Sequence, residues 1–255
     1  MNPPARRDEL LVPRSVPRQQ ARVVDHIDRL AVDGRLSMKK LFLLALGVAV
    51  TLGAAAVFAA DAVYEEGTHY VELDVPIRTA DPGKVEVTEY FSYGCPHCFE
   101  FDPLISSWAG NLGDGVVFNR TPAVWNADYA VYAQTYYTAE VLNILDQAHN
   151  ALFEAIHTER RRLGDPKAMA QYFAQFGVDP VEFAKVYKSF GVSASVQKAV
   201  ARGRAYRARG VPTLIINGKY RIEGQMAGSN VNMLRIADFL IEKERKAASA
   251  DQPSS

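Results

Sequence analysis

The chain has only two cysteines and five histidines in 255 residues, and no net charge. Each scarcity excludes something. Cys95 and Cys98 have only two residues between them, so a disulfide joining them closes almost no loop and gains little as a structural staple. A structural zinc site needs four ligands, and His26, His69, His97, His149 and His157 show no finger-like spacing with the two thiols. Haem attachment through C-x-x-C needs a His directly after the second Cys, where this chain has Phe99. Nine of the 29 basic and five of the 29 acidic residues precede Leu41, which leaves 20 against 24 beyond it. The larger part of the chain is therefore mildly acidic and offers no basic face to nucleic acid. There is no internal repeat, and no low-complexity tract apart from the small polar residues 247–255, which are expected to be disordered.

What is present is the composition of an ordinary globular protein, 48% apolar and 23% charged. The one long apolar run follows Met38 in MKKLFLLALGVAVTLGAAAVFAADA. Lys39 and Lys40, then an apolar stretch, then small residues, is the order of a secretory signal peptide, expected over residues 38–62. Ala62 and Ala59 both fit as the last residue before cleavage, and an uncleaved membrane anchor is the alternative. Residues 1–37 are polar and Pro-containing, and are read as an extension that is not translated, with Met38 as initiator. Export places the cysteine pair in an oxidising compartment, where it can persist as a disulfide.

Residues 69–75 (HYVELDV) alternate, with Val71, Leu73 and Val75 on one face of an expected strand. Asp81-Pro82-Gly83 signals a turn. Residues 84–92 (KVEVTEYFS) predict a second strand, ending just before the cysteines. Pro96 suits the first turn of a helix, expected to continue past Pro103 with a kink there. A further strand is expected within residues 113–122. Residues 123–210 change to helical periodicity, with Asp165-Pro166 and Asp179-Pro180 as helix starts and Gly177 and Gly191 as stops. Ser193 or Ser195 is the expected cap of the last of these helices, which would run to about Arg209. Residues 211–216 return to strand composition, Asn217-Gly218 turns the chain, and a hairpin partner follows. A closing helix is expected over residues 230–246, burying Met233, Ile236, Ala237, Leu240 and Ile241. The division is thus residues 63–122 and 211–246 for an α/β unit, with residues 123–210 inserted between its halves.

The dithiol sits where a strand gives way to a helix, in EYFSYGCPHCFEFDP. Cys95 falls at the helix start, where unpaired N–H groups and the helix dipole favour a thiolate. His97 adds a positive charge or a hydrogen bond to the same sulfur. Cys98, about one turn on, is placed to attack a mixed disulfide. Stabilising the Cys95 thiolate stabilises the reduced form, which makes the disulfide the stronger oxidant.

Cys95-Pro96-His97-Cys98 after a strand, Gly210-Val211-Pro212 before a late strand, and a helical insertion between them resemble the DsbA family of periplasmic thiol:disulfide oxidoreductases. The resemblance covers about residues 62–246 and implies a thioredoxin fold with an inserted helical domain. DsbA is itself the standing example of a low thiol pKa and an oxidising potential, so these properties come with the resemblance. It further implies that Pro212 is a cis-proline facing the dithiol and that Val211 offers backbone groups to an extended substrate. Glu89 matches a buried acid beneath the site. It shares the face of Val85, Val87 and Phe91, where a raised pKa would suit proton exchange with Cys98. Asp102 stands where the family often has Glu.

The implied activity is donation of the Cys95–Cys98 disulfide to reduced, unfolded exported proteins, by a monomer with no cofactor and no metal. A DsbB-like membrane quinone reductase is the implied reoxidant. The alternatives are a disulfide isomerase or reductase on the same fold, and a peptide-binding chaperone.

Overall fold

A computed structural model describes residues 64–250. The expected extension, signal peptide and cleavage sites lie outside the described residues. Among the described residues no helix is long and apolar enough to cross a membrane.

Five strands form one sheet in the order β1-β5-β4-β2-β3, with β1 Val71–Glu72, β2 Val85–Phe91, β3 Val116–Pro122, β4 Thr213–Ile216 and β5 Tyr220–Glu223. β2 runs parallel to β3 and antiparallel to β4. The parallel pair needs a crossover, which α1 (Pro96–Ala109) supplies. β4 and β5 join through Asn217, Gly218 and Lys219, one residue more than the expected two-residue turn, since Ile216 pairs with Tyr220; Asn217 and Gly218 have positive φ, and the Lys219 N–H donates to the Ile216 carbonyl at 2.9 Å. The central strand β2 carries β-branched and aromatic residues and is buried almost throughout.

Val85, Val87, Leu214, Ile216 and Ile222 pack with Phe101 and Ile105 of α1 and with the apolar face of α8 (Asn230–Ala250). Tyr90 and Ile215 belong to a smaller cluster with Ala123 and Tyr206. Between β3 and β4 stand five helices: α2 Ala127–Val141, α3 Leu145–His157, α4 Pro166–Phe173, α5 Pro180–Tyr187 and α6 Phe190–Tyr206. Their core runs from Phe153, Phe173 and Phe183 to Phe91, Tyr93 and both cysteines. A short helix, α7 (Gly224–Ala227), links β5 to α8. This is the α/β architecture expected from the sequence, with helices set into it.

Local expectations differ from the structure in three places. The first strand is two residues long, and Val75 is 74% exposed because the chain has already left the sheet edge. As expected, α1 runs on through Pro103, whose missing N–H removes a single intrahelical bond while the buried Phe101 and Ile105 hold the helix in place. The helix expected to start at Ser193 or Ser195 begins at Phe190, where Ser189 accepts from the Val192 N–H at 3.3 Å. Gly191 therefore lies in its first turn instead of stopping a helix, and Arg207, at φ 51°, ends it. At the C-terminus α8 continues to Ala250, because residues 246–250 are good helix formers and Ser249 bonds back to the Arg245 carbonyl. The expected disorder of residues 247–255 is overturned for the first four of them.

Candidate active site

Backbone geometry places the dithiol. β2 ends at Phe91, and the Cys95 N–H donates to the Ser92 carbonyl at 3.1 Å, closing a turn over Tyr93 and Gly94. Cys95 is then the N-cap residue of α1 with extended φ, Pro96 takes the first helical position, and the Phe99 N–H donates to the Cys95 carbonyl. Gly94 lies close under α2: a Cβ there would stand 2.7 Å from the half-buried Tyr132 ring, which would have to shift. Of the clustered tyrosines 129, 132, 136 and 137 in the insertion, Tyr136 is buried and the others are half-buried.

The two thiols are unbonded and unlike. Cys95 is 6% exposed and Cys98 is sealed at 0%. The Cys95 thiol is lowered to about 6, first by the hydrogen bond from the Cys98 thiol, which acts against the opposing effect of burial. Backbone N–H groups of Cys98 and His97 and the charge of His97 add to the lowering. Burial, followed by the neighbouring Cys95, pushes Cys98 well above its ordinary value. His97 thus acts on the sulfur through its N–H and its charge. The imidazole hydrogen bond to sulfur expected from the sequence is absent, because the ring is exposed and lies 3.5 Å from Glu100 Oε2.

Facing Cys95 is the loop before β4. The Val211-Pro212 peptide is cis, and the Cys95 thiol donates to the Val211 carbonyl at 3.3 Å. A pocket of about 400 Å³ opens beside it, lined by His97, Val211, Pro212, Thr213, Gln225 and Asn230 among others.

Beneath the dithiol lies a charged network. Glu89 is 1% exposed and stands in register opposite Arg120 on the parallel strand β3, whose Nε donates to Glu89 Oε2 at 2.8 Å. Burial raises the Glu89 carboxyl to about 7 against the lowering effect of Arg120. Arg120 Nη2 also donates to Asp102 Oδ1 at 2.9 Å. Asp102 accepts further from His149 Nε2 at 3.1 Å. Burial opposes its ionisation, but the bond from His149 and the charge of Arg120 outweigh it and hold the carboxyl low. Burial lowers His149. A neutral imidazole with its proton on Nε2 satisfies the whole chain, since Nδ1 then accepts from the Tyr93 hydroxyl at 2.8 Å.

Sequence reasoning missed Arg120, His149, Tyr93 and His157. Arg120 becomes a candidate only once β2 and β3 are paired in register. The histidines left one faint trace: His149, Phe153 and His157 recur at four-residue spacing along one face of α3. Among the described residues no group of three or more His, Cys, Asp or Glu side chains is arranged to hold a metal ion.

A family model described as a DSBA-like thioredoxin domain matches residues 105–238, beginning inside α1 just past the cysteine pair. The thiol:disulfide interchange protein DsbA of Pseudomonas aeruginosa is 42% identical over 211 residues, covering 83% of this chain and 99% of that protein. Its namesake from Azotobacter vinelandii is 42% identical over 181 residues, 71% of this chain and 85% of the relative. The crystal structure of Pseudomonas aeruginosa DsbA superposes with a TM-score of 0.70 at 44% identity, covering 73% of this chain and 97% of that one. The oxidoreductase DsbA from Xylella fastidiosa gives 0.68 at 34% identity, covering 72% and 98%.

Proposed function

Because this chain belongs to the DsbA family of thiol:disulfide oxidoreductases, we propose that it is a disulfide donor to reduced exported proteins, with Cys95 as the exchanging sulfur. The observation that carries the assignment of roles is the asymmetry of the pair. Cys95 lies at a helix mouth against the Val211 carbonyl, whereas Cys98 is sealed behind it.

In the oxidised enzyme a substrate thiolate attacks Cys95 Sγ. The Cys95–Cys98 bond breaks, its electron pair goes to Cys98, and a substrate–Cys95 disulfide forms. A buried thiolate is costly, so Cys98 takes a proton. Glu89, near pH 7 both donor and acceptor, is the group proposed to supply it. A second substrate thiolate then attacks the substrate sulfur and expels Cys95. Its low pKa makes it the better leaving group and keeps the exchange running toward reduced enzyme. Two electrons have passed from two substrate thiols to the enzyme, with one proton held on Cys98 and the other released to water.

Val211 and Pro212 are proposed to dock an extended substrate segment, because the Val211 carbonyl accepts from the reactive thiol and the adjoining pocket is open. His97 assists by its N–H and charge. The proposed setting is the periplasm, reached by the signal peptide at residues 38–62, with a monomer reoxidised by a DsbB-like membrane quinone reductase. The proposed division keeps residues 63–122 and 211–246 as the thioredoxin-like unit around a helical insertion.

The test is purified oxidised protein mixed with a reduced, unfolded substrate. Disulfides should appear in the substrate at the expense of Cys95–Cys98, and Cys95→Ser should abolish the transfer. An inert wild type, or an active Cys95→Ser, removes the assignment. Alkylation trapping in cells separates a donor, found oxidised, from an isomerase, found reduced.

A further inference from the structure

The turn that delivers Cys95 has a choice built into it. Its central peptide joins Tyr93 to Gly94, and the Cys95 N–H to Ser92 carbonyl bond closes it. Such a turn exists in two forms that differ by flipping the central peptide, and the flipped form needs positive φ at the third residue. Gly94 would accept that φ without cost, yet it is not among the positive-φ glycines. Local sequence therefore permits both orientations, and something outside the turn selects one.

The selecting contact comes from α3. His157 Nε2 lies 2.8 Å from the Tyr93 carbonyl, which can only accept, so Nε2 carries the proton and donates. The same imidazole stacks on the Phe99 ring, centroids 5.1 Å apart and planes 14° from parallel. Tyr93 precedes Gly94 and Cys95, and Phe99 directly follows Cys98, so one ring touches the chain on both sides of the redox motif. The far end of Tyr93 is fixed by His149, two turns earlier on the same helix. Flipping the Tyr93–Gly94 peptide would carry the carbonyl away from His157 and break the bond.

We infer that His157 is a positioning residue for the dithiol, whose hydrogen bond to the Tyr93 carbonyl latches the turn before Cys95 in one peptide orientation. Cys95 is then presented as an N-cap with its sulfur in reach of the helix N–H groups and of Val211. The helical insertion thereby helps to set the chemistry of a cysteine that it does not contain.

This inference rests on Cys95 being the exchanging sulfur, and the experiment separates the two ideas. Thiolate absorbance is titrated in reduced wild type and in His157→Phe, which keeps a stacking ring but has no donor. The Gly94 and Cys95 amide signals are followed by NMR in both. In His157→Phe the Cys95 ionisation constant should fall at least about threefold, half a pH unit. The two amides, single in wild type, should broaden or double. His157→Gln, with an N–H at the place of Nε2, should restore both readouts, while His157→Asn, one bond too short, should not. A His157→Phe protein with the wild-type ionisation constant and single amide signals overturns the inference, even if its stability has dropped. A wild type whose Cys95 ionises like free cysteine overturns instead the reading beneath it.

Discussion

At the scale of single residues, the site depends on what burial does to two acids of opposite fate. Glu89 titrates at about 7 in the fold against an ordinary value of 4.5. Its folded pKa is raised, so its contribution to stability is fully present below the unfolded pKa and is lost as pH rises through about 7. Across pH 5 to 8 the loss amounts to about 2.5 kcal/mol. Glu89→Gln should abolish that slope, as read from urea unfolding of the oxidised protein, in which neither cysteine titrates. An unchanged slope would show that the carboxylate is stabilised by Arg120 and already ionised at pH 5. Asp102 is somewhat less deeply buried and has more company. Two further donors, His149 and Ser106, share it, and burial fails to protonate it.

At the scale of elements, the sheet is seated on its helices by close approaches that only small residues allow. Gly203 lies inside α6, where Ala would ordinarily gain about 1 kcal/mol of helix propensity. A Cβ there would stand 2.3 Å from the Tyr90 hydroxyl and 2.9 Å from Cζ. That ring is held by edge contacts from Trp125 and Tyr206 at 5.8 and 5.5 Å and has little room to retreat. Overpacking of this kind costs about 1–3 kcal/mol, so it outweighs the propensity gain. Gly203→Ala should lower the urea midpoint, and the loss should shrink in a Tyr90→Phe background. A stabilised Gly203→Ala would mean that α6 shifts freely on β2.

At the scale of the whole molecule, redox state and stability are linked. The folded pKa of Cys95 is depressed from 9.0 to about 6. Its contribution is therefore present above the unfolded pKa and lost as pH falls through about 6, and it exists only in the reduced protein. The full shift corresponds to about 4 kcal/mol, and solvent at the site mouth screens this to a scale of about 2 kcal/mol at pH 8. Glu89 titrates in both redox forms and largely cancels from the difference. Unfolding of reduced and oxidised protein at pH 5 and pH 8 should show the reduced form gaining on the oxidised one at the higher pH. A difference independent of pH would remove the thiolate as the source of oxidising power.

Much of what is local or periodic could be read from the residues alone. The cysteine spacing, Pro96 at a helix start, the Asp165 and Asp179 caps, the Asn217-Gly218 turn and the apolar face of α8 are all legible, because each is settled by residues within a few positions. Alternation also put Glu89 on the inner face of β2. Ser189, Ser193 and Ser195 are equally good caps in isolation, and the start at Ser189 goes with burial of Val192 and Ala199 along α6. Which distant residues meet is set by how the chain packs. Arg120 reaches Glu89 only through the parallel register, and the α3 histidines reach Tyr93 only because the insertion folds against the dithiol. Pairing over such separations leaves no periodic trace, since it is set by the shape of the filled core and not by the neighbours of either residue.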